Sequence, residues 1–313
     1  MNSEKKTVSV VVPVYNEQDM IEEIFQRVDS VFTSDGRYNY ELVFFDDGST
    51  DGTRGKIKKL CENHSNVKSV FYAKNSGYLK NTFYAVQQAK GDCAILLHAD
   101  LQNPPEKIPE FIDKWENGAQ VVLGVKNKSR ENKLMYFMRT VFYFVMIHIF
   151  GIKLTPHATE FELFDKSFIG ILKKLKPAVP FLRGIVLEYA SSTEVVYFTQ
   201  DMRKKGKSKF NLNKYYDFAI CGIVQYSKIL PRRIIIFSLI IMLLLFAEFF
   251  VLCLPGIIGS DYSVISAALF LRLTAFIFCI LLIIIALMWE FVIFTLKATD
   301  EKPLVIEEQR INY

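Results

Sequence analysis

The sequence predicts an α/β domain with a mostly parallel sheet and helices on both faces, followed by interfacial helices and a two-helix transmembrane hairpin. Short apolar strands alternate with helices of about ten residues through the first half of the chain, as in right-handed βαβ units. Two long apolar runs come after residue 231. Polar residues directly follow several strands, and open α/β sheets bind ligands at the carboxyl ends of their strands.

The predicted elements follow one another with short connections. Strands are predicted at 8–14, 41–45, 67–73, 94–97 and 120–125, and an edge strand at 193–199. Helices are predicted at 19–31, at 54–62, in a segment ending near residue 90, and at 106–117. We therefore assign residues 1–230 to one domain, 231–290 to the hairpin and 291–313 to a C-terminal tail.

Composition limits the classes of function. A net charge of +5 over 313 residues gives no indication of nucleic-acid binding. The five cysteines are scattered without a CxxC pair, so neither a disulfide framework nor a zinc site is indicated. Neither GxGxxG nor GxxxxGK[ST] occurs, which leaves dinucleotide and P-loop sites without support.

Two predicted strands end in side chains suited to ligand binding. Asp46 and Asp47 could accept hydrogen bonds from a base or ribose or help to hold a cation; the alternative is a glycine turn with an aspartate N-cap. His98, Asp100 and Gln102 follow the fourth strand and form a candidate metal or phosphate site. A capped surface turn is the alternative there.

Four segments in this order bring a family into view: VVVPVYNE at 10–17, FDDGS at 45–49, NSG at 75–77 and HADLQ at 98–102. Together they resemble the family 2 glycosyltransferases of GT-A (Rossmann-like) fold. With the apolar C-terminal part, the chain is similar to the polyprenyl-phosphate glycosyltransferases, which include dolichol-phosphate mannose synthase and the bactoprenol glucosyltransferases. The resemblance spans nearly the whole chain.

The resemblance implies an inverting transfer of one sugar to polyprenyl phosphate at the cytoplasmic face of the membrane. The donor would be a nucleotide-sugar, a UDP-linked hexose or N-acetylhexosamine, and the product a lipid-linked sugar for cell-envelope glycosylation. By the same resemblance, eleven residues would bind the nucleotide-sugar. They are Pro13, Tyr15, Glu17, Asp46, Asp47, Asn75, Gly77, Lys80, His98, Ala99 and Gln102.

The family's Asp-x-Asp motif, which holds a divalent cation on the donor diphosphate, reads His98-Ala-Asp100 here. Three interpretations stay open. His98 faces ribose or phosphate while Asp100 alone holds the metal; or both ligate it, which shifts preference from Mg²⁺ toward Mn²⁺; or activity is lost. We rank them in that order.

The family's Asp-Phe-Arg stretch, which carries an acidic residue near the acceptor, reads Glu160-Phe-Glu162. Glu160 keeps the acidic group one methylene further out, and with Asp100 it is the predicted catalytic residue. Glu162 reverses the charge of the family's arginine. We expect Glu162 to be a solvated strand residue.

The acceptor phosphate would be bound from two regions. The apolar segment 134–150 predicts a helix lying in the membrane interface, with a buried core helix as the alternative. By resemblance, its Arg139 suits a phosphate. The basic run 203–209 contains Lys207, Ser208 and Lys209, which match a Gly-x-Ser-Lys loop that closes over the substrates in the family. The alternative for this run is a solvated surface. A second interfacial helix is predicted near 215–230.

Residues 234–254 and 264–288 are each long enough to cross a bilayer. Basic residues flank the pair, and the connecting loop has none, which predicts a cytoplasmic catalytic domain and cytoplasmic termini in the cell membrane. We expect Glu248 and Arg272, inside the spans, to pair within a hairpin or between protomers; outward snorkelling of Arg272 is the alternative. A homo-oligomer and a flippase are the expected protein partners.

Two rival functions belong to other classes. A catalytically impaired subunit that binds a nucleotide-sugar within a membrane glycosylation complex would explain His98 and Glu162. A transport component that flips a lipid-linked sugar is disfavoured, because two spans are too few for a path through one subunit. Turnover with a sugar nucleotide separates both from a transferase.

Overall fold

The computed structural model describes residues 5–129, 140–152, 155–177, 179–200, 263–298 and 303–313, together with 220, 222–227, 229, 233, 236–237, 239–241, 243–244 and 247. The strands are β1 (Thr7–Val14), β2 (Asn39–Asp46), β3 (Val67–Tyr72), β4 (Cys93–Leu96), β5 (Val121–Ser129), β6 (Ala158–Asp165), β7 (Thr193–Gln200) and β8 (Glu307–Ile311). The helices are α1 (Ile21–Asp35), α2 (Thr53–Asn63), α3 (Tyr78–Gln88), α4 (Ile108–Glu116), α5 (Lys166–Lys174), α6 (Leu182–Tyr189) and α7 (Ser263–Ala298).

All eight strands form one sheet in the order β7-β5-β6-β4-β1-β2-β3-β8. Strands β4, β1, β2 and β3 run parallel, as the βαβ pattern predicts. Strand β6 is antiparallel to both β4 and β5, and β8 is antiparallel to β3. The sheet is therefore mixed, and the predicted parallel arrangement holds for its centre.

Helices cover both faces of the sheet, which confirms that prediction. Along β1, Val10 and Val12 pack into the cluster that contains α1, α2 and α4, whereas Val11 packs into the cluster that contains α3, α5 and α6. Successive side chains of a strand point to opposite faces, so a run without polar residues is what a doubly covered strand requires. The predicted edge strand at 193–199 is confirmed as β7.

The C-terminal region differs from the sequence prediction. The sequence predicts only a tail over 291–313, whereas the structure places β8 there, on the free edge of β3. Its five residues, EEQRI, carry too few apolar side chains to signal a strand. The pairing comes from a sheet edge that is distant in sequence.

Residues 140–149 form a helical segment that ends in a π-helical turn, Val145–Ile149. Tyr143 and Met146 are buried against Phe181, whereas the exposed fractions of Phe144 and Ile149 are 57% and 44%. One face thus packs on the domain and the other is open. This arrangement has the two faces that an interfacial helix needs, and burial on all sides is wrong for these residues.

The first predicted span, 234–254, falls mostly outside the described residues, and the side chains of α7 are described only in part. Within the part of the chain that is described, no helix is long and apolar enough to cross a membrane.

Candidate active site

The candidate site lies where β1, β2 and β4 end at one edge of the sheet. Strand β6 runs the opposite way, so its first residues reach the same edge. Leu96 of β4 pairs with Glu162 of β6. Continuing that register places Glu160 opposite His98, so the predicted metal motif and the predicted acceptor residue are neighbours.

The segment after β4 presents the metal-motif side chains on one side. Residues 97, 99, 101 and 103 are buried, whereas His98, Asp100 and Gln102 are half-buried. Leu101 has φ of 50°, and Gln102 N donates a hydrogen bond to Asp100 Oδ1 at 3.2 Å. The three polar side chains therefore face the cleft together, while buried Ala99 could contact a ligand only through its backbone.

The turn after β2 is held by its own carboxylates. Asp46 is fully buried and accepts hydrogen bonds from Ser49 N and, at 2.7 Å, from Arg54 Nε. The N-cap of α2 is Gly52, without a side-chain cap, so the predicted aspartate N-cap is wrong; Asp51 Oδ1 accepts from Thr53 N at 3.0 Å just before the helix. Asp46 shapes the predicted nucleotide pocket from beneath its surface.

Asp47 joins this turn to the start of α3. Its two carboxylate oxygens accept from Ser76 N at 2.6 Å and Gly77 N at 3.0 Å, and its carbonyl accepts from Asn75 Nδ2 at 3.2 Å. Burial raises the pKa of Asp47 to about 6, although both amides act to lower it. The predicted residues Asn75 and Gly77 are thus fixed by a third predicted residue.

The loop after β1 is fastened to the same turn. Asn16, with φ of 52°, donates from its backbone to Ser49 Oγ at 2.9 Å, and Glu17 N donates to Thr53 Oγ1 at 3.0 Å. Tyr15 and Glu17 are half-buried at the site, whereas Pro13 is buried within β1. The first two motifs therefore fold into one unit.

Tyr78, which sequence reasoning missed, connects the donor motifs to Glu160. Its hydroxyl donates to Glu160 Oε2 and lies 3.4 Å from His98 Nε2. Its ring stacks on the His98 ring with centroids 5.8 Å apart. Lys80, two residues further along α3, is half-buried. A tyrosine directly after the NSG motif was the available signal.

Glu160 and Glu162 share a guanidinium that was also missed. Arg183 Nε on α6 lies 3.5 Å from Glu160 Oε1. Glu162 is 1% exposed, so the prediction of a solvated residue is wrong: β6 lies between β4 and β5, where both faces are covered. Burial, and then the charge of Glu160, raise the pKa of Glu162 to about 8, against a lowering by Arg183.

Arg183 is the only charged residue in the run PFLRGIVL at 180–187, which could have marked it. The predicted acceptor residues Arg139, Lys207, Ser208 and Lys209 lie outside the described residues, as do Glu248 and the side chain of Arg272. Among the residues described, no group of three or more His, Cys, Asp or Glu side chains could hold a metal ion. His98 and Asp100 remain a candidate pair of ligands.

Comparison with known proteins identifies a family and several relatives of this chain. A model of the family described as glycosyl transferase family 2 matches residues 9–172. An uncharacterized glycosyltransferase of Synechocystis sp. is 30% identical over 72% of this chain and 71% of its own length. A bactoprenol glucosyl transferase of Shigella phage SfV is 32% identical over 72% of this chain and 74% of its own.

Solved structures share the fold. Glucosyl-3-phosphoglycerate synthase from Mycobacterium tuberculosis, in complex with Mn²⁺, uridine-diphosphate-glucose and phosphoglyceric acid, superposes with a TM-score of 0.50 at 18% identity. The match covers 70% of this chain and 78% of that one. The mixed α/β sheet described above is therefore an arrangement that this synthase also has.

Proposed function

The chain belongs to glycosyltransferase family 2, and on that basis we propose that it transfers a single sugar from a nucleotide-sugar to polyprenyl phosphate. One observation carries the proposal. An unbroken set of contacts runs along the sheet edge from Asp47 through Ser76 and Gly77 to Tyr78 and on to Glu160. It joins the motif residues for the donor to the acidic residue for the acceptor.

The relatives support the choice of acceptor and donor. The phage protein is a bactoprenol glucosyl transferase by name, and its match covers 72% of this chain. A UDP-linked hexose or N-acetylhexosamine is the proposed donor. The lipid-linked product would serve cell-envelope glycosylation, with a flippase as the partner that moves it.

The proposed reaction balances without proton transfer. An oxygen of the acceptor phosphate attacks the anomeric carbon from the face opposite the leaving group, so the configuration inverts. The bond from that carbon to the diphosphate oxygen breaks, and its electron pair leaves with the nucleoside diphosphate. Because the acceptor is already an anion, Glu160 need not act as a base; Tyr78 and Arg183 hold it as an orienting group.

The proposal includes a divalent cation at the end of β4. His98 and Asp100 face the cleft side by side, and a carboxylate with an imidazole suits Mn²⁺ better than Mg²⁺. These two residues would hold the cation against the donor diphosphate. The bound cation would supply charge neutralisation for the leaving group.

The acceptor phosphate would meet Arg183 from within the domain. Arg139, Lys207, Ser208 and Lys209 are proposed to bind it from the membrane side. Exposed apolar side chains support membrane attachment: Phe144 is 57% exposed, and Leu271 and Ile283 on α7 are 72% and 60% exposed. We propose a hairpin anchor in the cell membrane with the catalytic domain in the cytoplasm.

The return of β8 to the sheet supports this topology. Residues 222–227 pack against the domain before the apolar segments, and β8 pairs with β3 after them. Because the chain contacts the same domain before and after the apolar segments, it would cross the membrane an even number of times. A homo-oligomer through the hairpin is proposed as well.

A nucleotide-sugar-binding subunit without turnover is the second candidate, favoured by His98 at the first position of the Asp-x-Asp motif. The experiment uses purified full-length protein in detergent with undecaprenyl phosphate and radiolabelled UDP-sugars, with Mg²⁺, Mn²⁺ or EDTA. A labelled lipid that EDTA and Asp100→Asn abolish, and that the surface control Asp113→Asn leaves intact, supports the transferase. Nucleotide binding without product for any donor supports the second candidate.

A further inference from the structure

The C-terminal strand β8 is held on both of its faces. Glu307 accepts a hydrogen bond from Tyr84 of α3 at 2.5 Å, whereas Glu308 pairs with Arg54 of α2 at 2.9 Å. Beyond the strand, Asn312 Nδ2 donates to the carbonyls of Cys61 at 2.7 Å and Val67 at 3.0 Å. Adjacent residues of β8 thus contact the two helices that begin at the donor loops.

Arg54 links this strand to the donor pocket. Its Nε donates to Asp46 Oδ2 at 2.7 Å, its Nη1 pairs with Glu308 Oε2, and its Nη2 donates to the carbonyl of Tyr72. A guanidinium is planar and rigid, so fixing two of its nitrogens fixes the direction of the third. By orienting the Arg54 guanidinium, Glu308 therefore helps to fix the position of the Asp46 carboxylate.

The position of Arg54 argues against a purely local role. It lies in the first turn of α2, where the helix dipole disfavours a cation. The side chain of Asp46 is 0% exposed, and that of Glu308 is 53% exposed. A pair exposed to this degree adds little to stability, so its effect is expected in orientation rather than in folding.

Asp46 in turn shapes the nucleotide-binding turn. It accepts from Ser49 N, and Ser49 Oγ accepts from Asn16 N, which ties the turn to the loop after β1. Asp47, the next residue, orders Ser76 and Gly77. A rotation of the Asp46 carboxylate would therefore disturb the loops after β1, β2 and β3, which are three of the four loops that carry the predicted donor motifs.

We propose that Arg54 and Glu308 are positioning residues for nucleotide binding, through which the docked C-terminal strand holds the donor pocket in its binding shape. The inference rests on the proposed function. It gives β8, which follows the apolar segments in the chain, a role in the affinity for the donor.

Reciprocity supplies the first test. If docking of β8 favours nucleotide binding, nucleotide must favour docking of β8 by the same factor. In full-length protein, saturating UDP with Mn²⁺ should slow hydrogen exchange of backbone amides within 307–313 about 5-fold or more, the lower end of typical coupling. Exchange unchanged at 307–313, with slowing confined to 46–51 and 75–78, would overturn the inference.

The second test uses two neighbouring glutamates. Glu308→Gln should weaken UDP binding about 5-fold and leave kcat at saturating donor unchanged. Glu307→Gln is the matched control on the opposite face of the same strand, and it should leave the UDP dissociation constant unchanged. Arg54→Lys, which keeps the charge and loses the fork, should weaken UDP binding more than Glu308→Gln does.

Equal weakening by the two glutamine variants would make the effect general destabilisation and overturn the inference. Failure of the proposed function looks different. Wild-type protein that binds UDP, shows the coupling and yields no sugar-lipid retains the positioning role and loses the transferase. Wild-type protein that binds no UDP overturns both.

Discussion

The proposed site has two halves, a donor half around Asp46 and Asp47 and an acceptor half around Glu160, Glu162 and Arg183, and each stabilises its buried carboxylates differently. Each contains two buried carboxylates. In the donor half, Asp47 accepts from two backbone amides and Asp46 pairs with Arg54. In the acceptor half, Glu160 and Glu162 face one guanidinium, and Glu162 Oε2 has no hydrogen-bond partner among the described residues.

The two halves differ in how their charged groups are balanced before a substrate binds. In the donor half, the carboxylates of Asp46 and Asp47 are already satisfied by groups of the protein itself. In the acceptor half, Glu162 holds its proton below about pH 8, so the Arg183 guanidinium is already balanced by the Glu160 carboxylate. A phosphate entering there needs the further cations that we propose on the membrane side.

The largest expected effect comes from removing that guanidinium. Arg183→Gln leaves the buried Glu160 carboxylate without its counter-charge, next to the protonated Glu162, and should lower the free energy of unfolding by roughly 3–5 kcal/mol. Chemical denaturation in detergent measures it. Glu162→Gln in the same chain should recover part of the loss; strict additivity of the two substitutions would contradict the shared-cation view.

A smaller effect is expected where the two halves meet. Tyr78→Phe removes the hydroxyl that donates to Glu160, a hydrogen bond to a charged group whose loss typically corresponds to about 1.5–3 kcal/mol. We expect the loss in kcat for sugar transfer, because the acceptor residue is freed while the donor loops keep their contacts. A rise in donor KM at constant kcat would place Tyr78 in the donor half instead.

Gly48 tests the donor half on its own. With φ of 72° it brings the turn so close that a Cβ would lie 2.9 Å from Asn75 N. Gly48→Ala should lower stability by about 1–3 kcal/mol and weaken UDP binding, since the 74–77 loop must move. Gly36→Ala is the control: its φ is 63°, with nothing within 4 Å of the added Cβ. Equal UDP binding by both variants would contradict this packing.

A further effect, spread over several pH units, tests the acceptor half alone. The pKa of Glu162 is about 8 in the folded protein against an ordinary value of 4.5. The folded state therefore binds this proton more tightly, and the free energy of unfolding should fall as pH rises from about 4.5 to about 8. The slope is at most about 1.4 kcal/mol per pH unit. Denaturation of Glu162→Gln across this range should lack the slope; identical profiles would argue against it.

Local sequence predicted the donor half well because its structure is local. Each motif follows a strand, and the predicted strands 8–14, 41–45 and 67–73 match β1, β2 and β3 within two residues at each end. Apolar runs identify buried strands, and Gly, Asn and Asp identify the turns after them. The fold class followed from the same alternation.

The acceptor half and the C-terminal strand were harder to predict because their contacts are distant in sequence. Arg183 lies 23 positions after Glu160, beyond the whole of α5, and no sequence periodicity predicts their contact. Glu162 looked solvated because its neighbours in sequence are polar and apolar in turn, while its burial comes from β4 and β5 on either side. Strand β8 could not be predicted either, because it forms by pairing with the edge of β3, which is distant in sequence.

Strand β8 also sets the order in which the protein can be completed during synthesis. Asn312 and its contact Val67 are 245 residues apart. At ribosomal speeds of about 5–20 residues per second, the outer edge of β3 waits roughly 10–50 s for its partner. An open edge of a sheet invites pairing with other chains. The nascent domain therefore emerges with one open strand edge, which stays uncovered until residues 307–311 have been translated.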